Sequence, residues 1–509
     1  MPTATQDEVV AFLTSDAGFG YRAAAPQLVE THISLVILSG PHAIKLKRAV
    51  RLGYVDFSTP ERRLAACERE LELNRRTAPA LYKAVHRITR ETNGGLALNG
   101  DGALVDAVVE MARFDEAGLF ENLAVQDAIS KPVLTRLAGR IAAFHAGAEI
   151  DLSSNGSSRI AAVLDINERA FATTDVFPPE KLEALRSTFR TRLAALSDLL
   201  DARARAGKVR RCHGDLHLRN ICLIDGEPTL FDCLEFDEGM ATTDILYDVA
   251  FLLMDLWHRD LRAEANLVFN RYLDACDEED GLPLISFLMA VRAAVRAHVS
   301  ATQAQAGATA VARREEANAY FQLAQDLLRS HPAKLIAVGG LSGSGKSTVA
   351  AALAPEINPA PGARILASDR IRKHLFGVAA ETRLPTDAYR PDISETVYVE
   401  LADRAARIAG RGHAVVADAV FDRPEERVRI ENAAISADAP FQGLWLDADP
   451  ERLIARVRSR TGDVSDATPE VVASQLNHAL GTITWARVQA DADRKAVRAK
   501  TLELIADLR

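Results

Sequence analysis

Asp215 and Asn220 stand five residues apart in "RCHGDLHLRN", residues 211–220, and Asp232 follows after two short apolar runs. "ICLI", a four-residue turn "DGEP" and "TLFD" read as a hairpin. Pairing Ile224 with Thr229 across that turn pairs Ile221 with Asp232, which sets Asp232 beside Asn220 at the open end. Two side-chain oxygens then converge, as Mg²⁺ requires, and Asp215 on the leading loop is placed to take a proton from a hydroxyl. A second constellation lies more than a hundred residues on, in "GGLSGSGKST". It runs Gly340, Ser342, Gly343, Ser344, Gly345, Lys346, Ser347, Thr348, between an apolar strand and an alanine-rich helix. Such a loop wraps phosphates with backbone N–H groups at a helix N-terminus. Lys346 would reach the β- and γ-phosphates, and the Ser347 hydroxyl would hold Mg²⁺. Both patterns belong to the chemistry of ATP and Mg²⁺.

The elements that must position these residues fall into three regions. Residues 28–48 read as one hairpin around "SGPH", and "TPERRLAACERELELNRRTAP" reads as a charged amphipathic helix. "GGLALNGDGALVDAVVEMARF" reads as a strand pair around Asn-Gly-Asp-Gly. From about 116 to 330 the pattern is mostly helical, interrupted by the strand-rich stretch 209–233. After Pro332, "KLIAVGG" opens an alternation of strands and helices, the mark of a parallel α/β sheet. The domain boundary is placed near residue 330.

The first constellation follows the kinase template of a catalytic-loop Asp, an Asn for metal and a later metal-binding Asp. His213-Gly214-Asp215 with Asn220 resembles the HGDxHxxN form of aminoglycoside phosphotransferases, choline kinases and their relatives. The resemblance implies a protein-kinase-like, two-lobed α+β domain over 1–330, with an N-lobe of about 1–110 and a C-lobe of about 111–330. It makes Asp215 the base and Asn220 and Asp232 metal ligands. Asp232 stands where protein kinases carry their DFG aspartate, although "CLEF" departs from that motif. Such a domain needs a strand lysine paired to a helix glutamate. "HAIK" offers Lys45, with Lys47 on the same strand face as an alternative, and the helix offers Glu70, with Glu68 and Glu72 as competitors. No GxGxxG precedes the lysine. Position alone puts Glu110 and Met111 at a hinge presenting backbone groups to adenine.

Residues 331–509 resemble the small P-loop kinases of the polynucleotide-kinase, zeta-toxin, gluconate-kinase and chloramphenicol-phosphotransferase group. That resemblance implies a P-loop NTPase domain with a parallel sheet. Asp369, after the second strand, becomes the acceptor-side base, and Asp418, after the third, supports Mg²⁺. Arg456 and Arg460, after the fourth, form a lid over the phosphates. As a whole the chain resembles bacterial two-domain proteins that join an aminoglycoside-phosphotransferase-like domain to a zeta-toxin-like or polynucleotide-kinase-like ATPase.

The leading expectation is two ATP-dependent kinase sites acting on small hydroxyl-bearing acceptors. A nucleic-acid 5′-kinase or a nucleotide-sugar kinase at the second site shares the same motifs, as does a reading in which one domain senses nucleotide for the other. A net charge of −9 over 509 residues, and no aromatic stacking platform, argue against nucleic acid. Five cysteines without CxxC spacing read as reduced thiols of a cytoplasmic protein. No secretory signal is read at "MPTATQDEVVAFL". The most apolar window, "ILYDVAFLLMDLW", carries three acids and reads as a buried helix, so no membrane is expected. The sequence assigns no oligomeric state.

Overall fold

A computed structural model describes residues 6–20, 25–52, 55–153, 155–304, 310–459 and 465–506. By contacts the chain divides into two units, Met1–Val163 with Ser197–Leu252, and Leu164–Leu196 with Leu253–Arg509.

The first unit holds an antiparallel sheet of β1 (Gln27–Glu30), β2 (Ser34–Ser39), β3 (His42–Lys47), β4 (Tyr82–Arg90), β5 (Leu96–Leu98) and β6 (Ala103–Ala112). Their order is β1-β2-β3-β6-β4-β5. The expected single hairpin over 28–48 is therefore three strands, because "LVETHISLV" already folds on itself with Val29 opposite Val36. The Asn-Gly-Asp-Gly turn does not join paired strands either. Tyr82–Arg90, a strand carrying Lys83, His86, Arg87 and Arg90, lies between β5 and β6 and pairs with both.

Strand alternation decides what β3 delivers to each face. Ile44 and Leu46 join Val9 and Leu13 of α1 (Gln6–Leu13) in one core cluster. Lys45 and Lys47 point the other way, toward α2 (Pro60–Asn74). Thr59 caps α2 by accepting from the Arg62 N–H, and Pro60 occupies its first turn. Its buried stripe of Arg63, Cys67, Glu70 and Asn74 follows helical spacing. Charges on such a stripe survive only when paired. Arg63 meets Asp106 of β6 at 2.7 Å, and Glu70 meets the β3 lysines.

Further along this unit lie α3 (Lys131–Gly147), β7 (Val209–Arg211), β8 (Ile221–Ile224), β9 (Glu227–Leu230), β10 (Thr242–Asp244) and the start of α4 (Ile245–His258). The β8–β9 hairpin is tighter than its sequence suggested. Ile224 faces Glu227 and Ile221 faces Leu230. Only Asp225 and Gly226 form the turn, with φ of 52° and 77°, the left-handed pair a two-residue turn of this type needs. Asp232 thus lies beyond the ladder. It stays beside Asn220 because the Phe231 N–H donates to the Asn220 carbonyl at 3.0 Å.

In the second unit, β11 (Leu335–Gly339), β12 (Arg364–Ala367), β13 (Val415–Asp418), β14 (Phe441–Asp447) and β15 (Ala486–Gln489) form a parallel sheet ordered β12-β13-β11-β14-β15. The phosphate loop leaves its central strand. On the β12 edge sits α5 (Arg262–Ala275), and α6 (Leu282–Gln303) pairs with α7 (Ala310–Leu327). The stretch Glu279–Gln303 is long and apolar enough to cross a membrane, yet 72% of its most apolar window is buried within the fold. All five cysteines are free.

Candidate active sites

In the first unit, Lys45 Nζ lies 2.9 Å from Glu70 Oε1 and 2.5 Å from Asp232 Oδ1. Lys47 pairs with the other Glu70 oxygen and with Glu235. The two alternatives for the lysine are thus both partners of one fully buried carboxylate. Glu68 and Glu72 are exposed, and Glu72 pairs with Arg69. Burial alone would push Lys45 down, but Asp232 and Glu70 outweigh it and hold the ammonium well above its usual range. Burial raises Glu235 despite the neighbouring Lys47.

Asp232 has φ 63°, a left-handed conformation that costs a non-glycine residue about 1–2 kcal/mol. Two side chains hold it there. Its N–H donates to Tyr82 Oη at 3.2 Å, and the next N–H, of Cys233, donates to Asn74 Oδ1 at 2.8 Å. Asn220 Nδ2 donates to both the carbonyl and the carboxylate of Asp215 at 2.9 Å, and His217 Nε2 lies 3.3 Å from that carboxylate. These bonds use the Asn220 nitrogen and leave Oδ1 as its oxygen donor. Lys45 engages one oxygen of Asp232 and leaves the second. The oxygen-only donor set fits Mg²⁺.

Asp248, in the apolar opening of α4, was not singled out from the sequence. An acid inside "ILYDVAFLL" was the available signal. Its carboxylate accepts from the His213 N–H at 3.1 Å and the Gly214 N–H at 2.8 Å, and contacts His145 Nε2 at 3.1 Å. It anchors the loop that carries Asp215. His145, Cys212 and Asp248 are close enough to hold a metal, but the Asp248 oxygens already accept backbone bonds and Cys212 Sγ turns to the Thr243 carbonyl. Gly214 has φ 85°, and a Cβ there would stand 2.8 Å from that of Ala241. Replacing Asp248 by Ala strips two buried N–H groups of their acceptor, at about 1–3 kcal/mol each. The expected result is a lower Tm by calorimetry, with activity of the first site lost more steeply than ATP affinity. An unchanged Tm would mean that other acceptors take over those N–H groups.

Met111 does not sit at a hinge. It lies inside β6, opposite Ala43 on one side and Tyr82 on the other. The next two N–H groups donate to Leu81 and Pro41 carbonyls. Glu110 is taken by His42 and His86 at 2.8 and 2.7 Å. The pairing of the strand carries past the residues that the sequence placed at the hinge.

In the second unit the loop from Gly340 leads into α8 (Lys346–Leu353), with Gly345 at its N-cap. Gly343 has φ 90° and a Cβ there would meet the Leu453 carbonyl at 2.6 Å, so glycine is required. Lys346 Nζ donates to the Leu341 carbonyl at 3.2 Å. Ser342 and Ser344 are buried, whereas Ser347 and Thr348 are exposed. The Ser342 N–H donates to Gln475 Oε1 at 2.9 Å, and Ser344 Oγ is buried without a partner. Polar groups aimed inward in this way fit a bound phosphate chain.

A cavity of about 760 Å³ beside the loop is lined by Lys346, Ser347, Asp369 and Asp418 among others. Asp418 ends β13, in register with Val338 of β11 and Ala367 of β12, and with Ser347 it supplies oxygen donors suited to Mg²⁺. Asp369 lies in the first turn of α9 (Ser368–Leu375), whose N-cap is Ala367. Its carboxyl is raised by burial, against the pull of Lys346 and a bond from Ser465. Asp466 closes another wall by accepting from Lys373 Nζ and the Leu384 N–H at 3.0 Å and from Tyr389 Oη at 2.6 Å. Arg456 bonds the Gly343 carbonyl at 3.4 Å and the Ala490 carbonyl at 2.8 Å, behind the loop, and does not line the cavity. Arg460 lies outside the described residues.

Residues 49–284 match the model of the phosphotransferase enzyme family, and residues 335–482 match that of the AAA domain. The two matched stretches are separate, and the second contains the phosphate loop. An uncharacterized protein of Mycobacterium tuberculosis is 27% identical over 454 residues, spanning 87% of this chain and 88% of its own. Among solved structures, a gluconokinase from Sinorhizobium meliloti is 23% identical, covers 35% of this chain and 95% of its own, and has a TM-score of 0.25. A choline/ethanolamine kinase family protein from Mesorhizobium loti is 14% identical, covers 64% of this chain and 99% of its own, and has a TM-score of 0.38.

Proposed function

We propose that the chain is a bifunctional, ATP- and Mg²⁺-dependent phosphotransferase whose two sites each move the γ-phosphate of ATP to a hydroxyl of a small molecule. The observation that carries this reading is the presence of two separate donor sets, each matched to phosphoryl transfer. Lys45, Glu70, Asp215, Asn220 and Asp232 gather in the first unit, and the Gly340–Ser347 loop, Asp369 and Asp418 in the second. In the first site, Asp215 takes the acceptor proton, Asn220 and Asp232 hold the metal, and Lys45, fixed by Glu70, engages the phosphates. In the second, the loop N–H groups and Lys346 hold the phosphates, Ser347 and Asp418 hold the metal, and Asp369 takes the proton. Residues 1–330 and 331–509 are the proposed inherited domains, and five unpaired cysteines support a cytoplasmic setting.

The test is ADP formation by the full-length protein against a library of hydroxyl compounds, repeated with Asp215→Asn and with Lys346→Ala. Each variant should erase one set of acceptors and spare the other. A protein that binds ATP at both sites and consumes it at only one would make the silent site a nucleotide sensor. The raised carboxyl of Asp369 adds a pH signature. A base works only after losing its proton. The acid limb of kcat/KM at the second site should therefore have its midpoint above the usual aspartate value of about 3.9. A limb at the ordinary value in the Asp215→Asn background would remove Asp369 as the base.

A further inference from the structure

The cavity that holds Asp369 and Lys346 is also lined by Arg271, a residue of α5 outside the P-loop sheet and inside the stretch matching the phosphotransferase family. α5 is seated firmly. Asn270 accepts from the Ile365 N–H at 2.7 Å and donates to the Ala363 carbonyl at 3.2 Å, so one side chain takes the place of a neighbouring strand along edge strand β12. Asn266 donates to the Pro361 and Ala363 carbonyls at 3.1 Å. Arg271 follows directly in the helix, and its entry into the cavity is fixed by these bonds.

The carboxylate that Arg271 meets is shared. Asp274 serves three guanidinium groups, with Arg271 at 2.6 Å, Arg364 at 2.7 Å and Arg370 at 3.3 Å. Glu279 is shared between Arg364, at 2.9 Å, and Arg404. Arg271 thus shares its carboxylate with two other guanidinium groups, and Glu381 also acts on it. Arg271 Nε is buried without a hydrogen-bond partner. Burial, with Arg370 and Arg364 adding to it, pushes this guanidinium down to about 10. A buried guanidinium whose hydrogen-bonding capacity is not filled is costly unless an anion joins it. Arg370, which also lines the cavity, adjoins Asp369 in the chain.

We infer that Arg271 and Arg370 form the acceptor subsite of the second kinase site, and that this subsite takes an anionic group, a phosphate ester or carboxylate, on the same small molecule whose hydroxyl meets Asp369. The inference deepens the proposed function, on which it rests for the role of Asp369. The anion gives Arg271 a partner that it does not share, and the bidentate guanidinium fork orients the acceptor so that one hydroxyl reaches the base. The second site is then incomplete without α5, which accounts for the two regions occurring as one chain. A phosphate monoester of a polyol is also the kind of product that the first site would release.

Binding and turnover test this separately. The full-length protein is saturated with Mg²⁺ and a non-hydrolysable ATP analogue, and inorganic phosphate is titrated in by calorimetry. Arg271→Gln should weaken phosphate binding by about 10–100-fold, the loss of one charge-assisted hydrogen-bond pair. Arg271→Lys, which keeps the charge and loses the fork, should recover part of it. Asp274 retains Arg364 and Arg370 in both variants, so the surrounding structure keeps its pairing. Equal phosphate affinity in wild type and Arg271→Gln would overturn the inference. The second measurement needs no variant at this site. With Asp215→Asn silencing the first site, glucose 6-phosphate, ribose 5-phosphate and gluconate are compared with glucose and ribose as acceptors. ADP formation confined to the charged compounds supports the subsite, and the phosphate esters against gluconate separate its two chemical forms. Transfer to the neutral sugars at equal kcat/KM would overturn the subsite and leave the kinase reading standing. Failure of the analogue to bind would instead count against the kinase reading.

Discussion

Asp215→Asn should lower kcat of the first site by about 10²–10⁴-fold, the usual contribution of a positioned base, while ATP affinity stays close to wild type. The loop geometry supports a clean result. Asn220 Nδ2 donates to the Asp215 backbone carbonyl as well as to its carboxylate, so the loop keeps one of the two bonds when the carboxylate becomes an amide. Asp248 continues to hold the loop from below through the His213 and Gly214 N–H groups. Asp232→Ala should give a different profile. On the proposed assignment it removes a charged metal ligand, and it takes away one of the two carboxylates on Lys45, so Mg-ATP binding should weaken first. Lys45 keeps Glu70, which guards the fold against collapse of the pair. Steady-state kinetics beside calorimetric titration of Mg-ATP separate the two variants. If both lost turnover and ATP affinity in the same proportion, the division between base and metal ligand would fail.

How far the sequence reached depended on the range of the interaction. Period-2 alternation in "HAIKLK" puts Lys45 and Lys47 on one face, but strand periodicity is blind to which of them meets the helix. The structure answers that both do, because Glu70 has two oxygens and is buried between them. Helical spacing from the capped start of α2 similarly turns Glu70 inward with Arg63 and Cys67, and leaves Glu68 and Glu72 outside. The hairpin register failed on a local detail. "DGEP" looks like a turn of four, yet Asp225 and Gly226 suffice, and Pro228 is accommodated within β9. Tyr82–Arg90 is hard to read as a strand because its basic residues mask the pattern, although the sheet needs it between β5 and β6. The P-loop was legible because eight contiguous residues, Gly340–Ser347, carry both its geometry and its chemistry. Arg271, Asp466 and Gln475 were not, since each reaches the second site only through packing between segments tens of residues or more apart.

The second site should separate into two halves under mutation. Lys346→Ala is expected to abolish turnover there with or without an acceptor, because the proposed role of its ammonium is to be the point charge on the transferred phosphate. Asp369→Asn should behave otherwise. Asp369 stands on α9 beyond β12, two strands from the P-loop strand in the sheet order β12-β13-β11, and its carboxyl is raised mainly by burial in the cavity wall. The loop N–H groups, Lys346, Ser347 and Asp418 are untouched by the change, so ATP and Mg²⁺ should bind as before. Transfer to the acceptor should fall by about 10²–10⁴-fold, while slow transfer to water persists. Burial works against the Asp369 carboxylate, so exchanging it for a neutral amide of the same shape should cost little stability. The measurement is acceptor-dependent against acceptor-independent ADP formation, with Asp215→Asn present to silence the first site. Undiminished acceptor phosphorylation would take Asp369 out of the chemistry. Loss of ATP binding together with transfer would place it on the nucleotide, and Asp466, which accepts from Lys373 and Tyr389 on the neighbouring wall, would become the carboxylate to test as base.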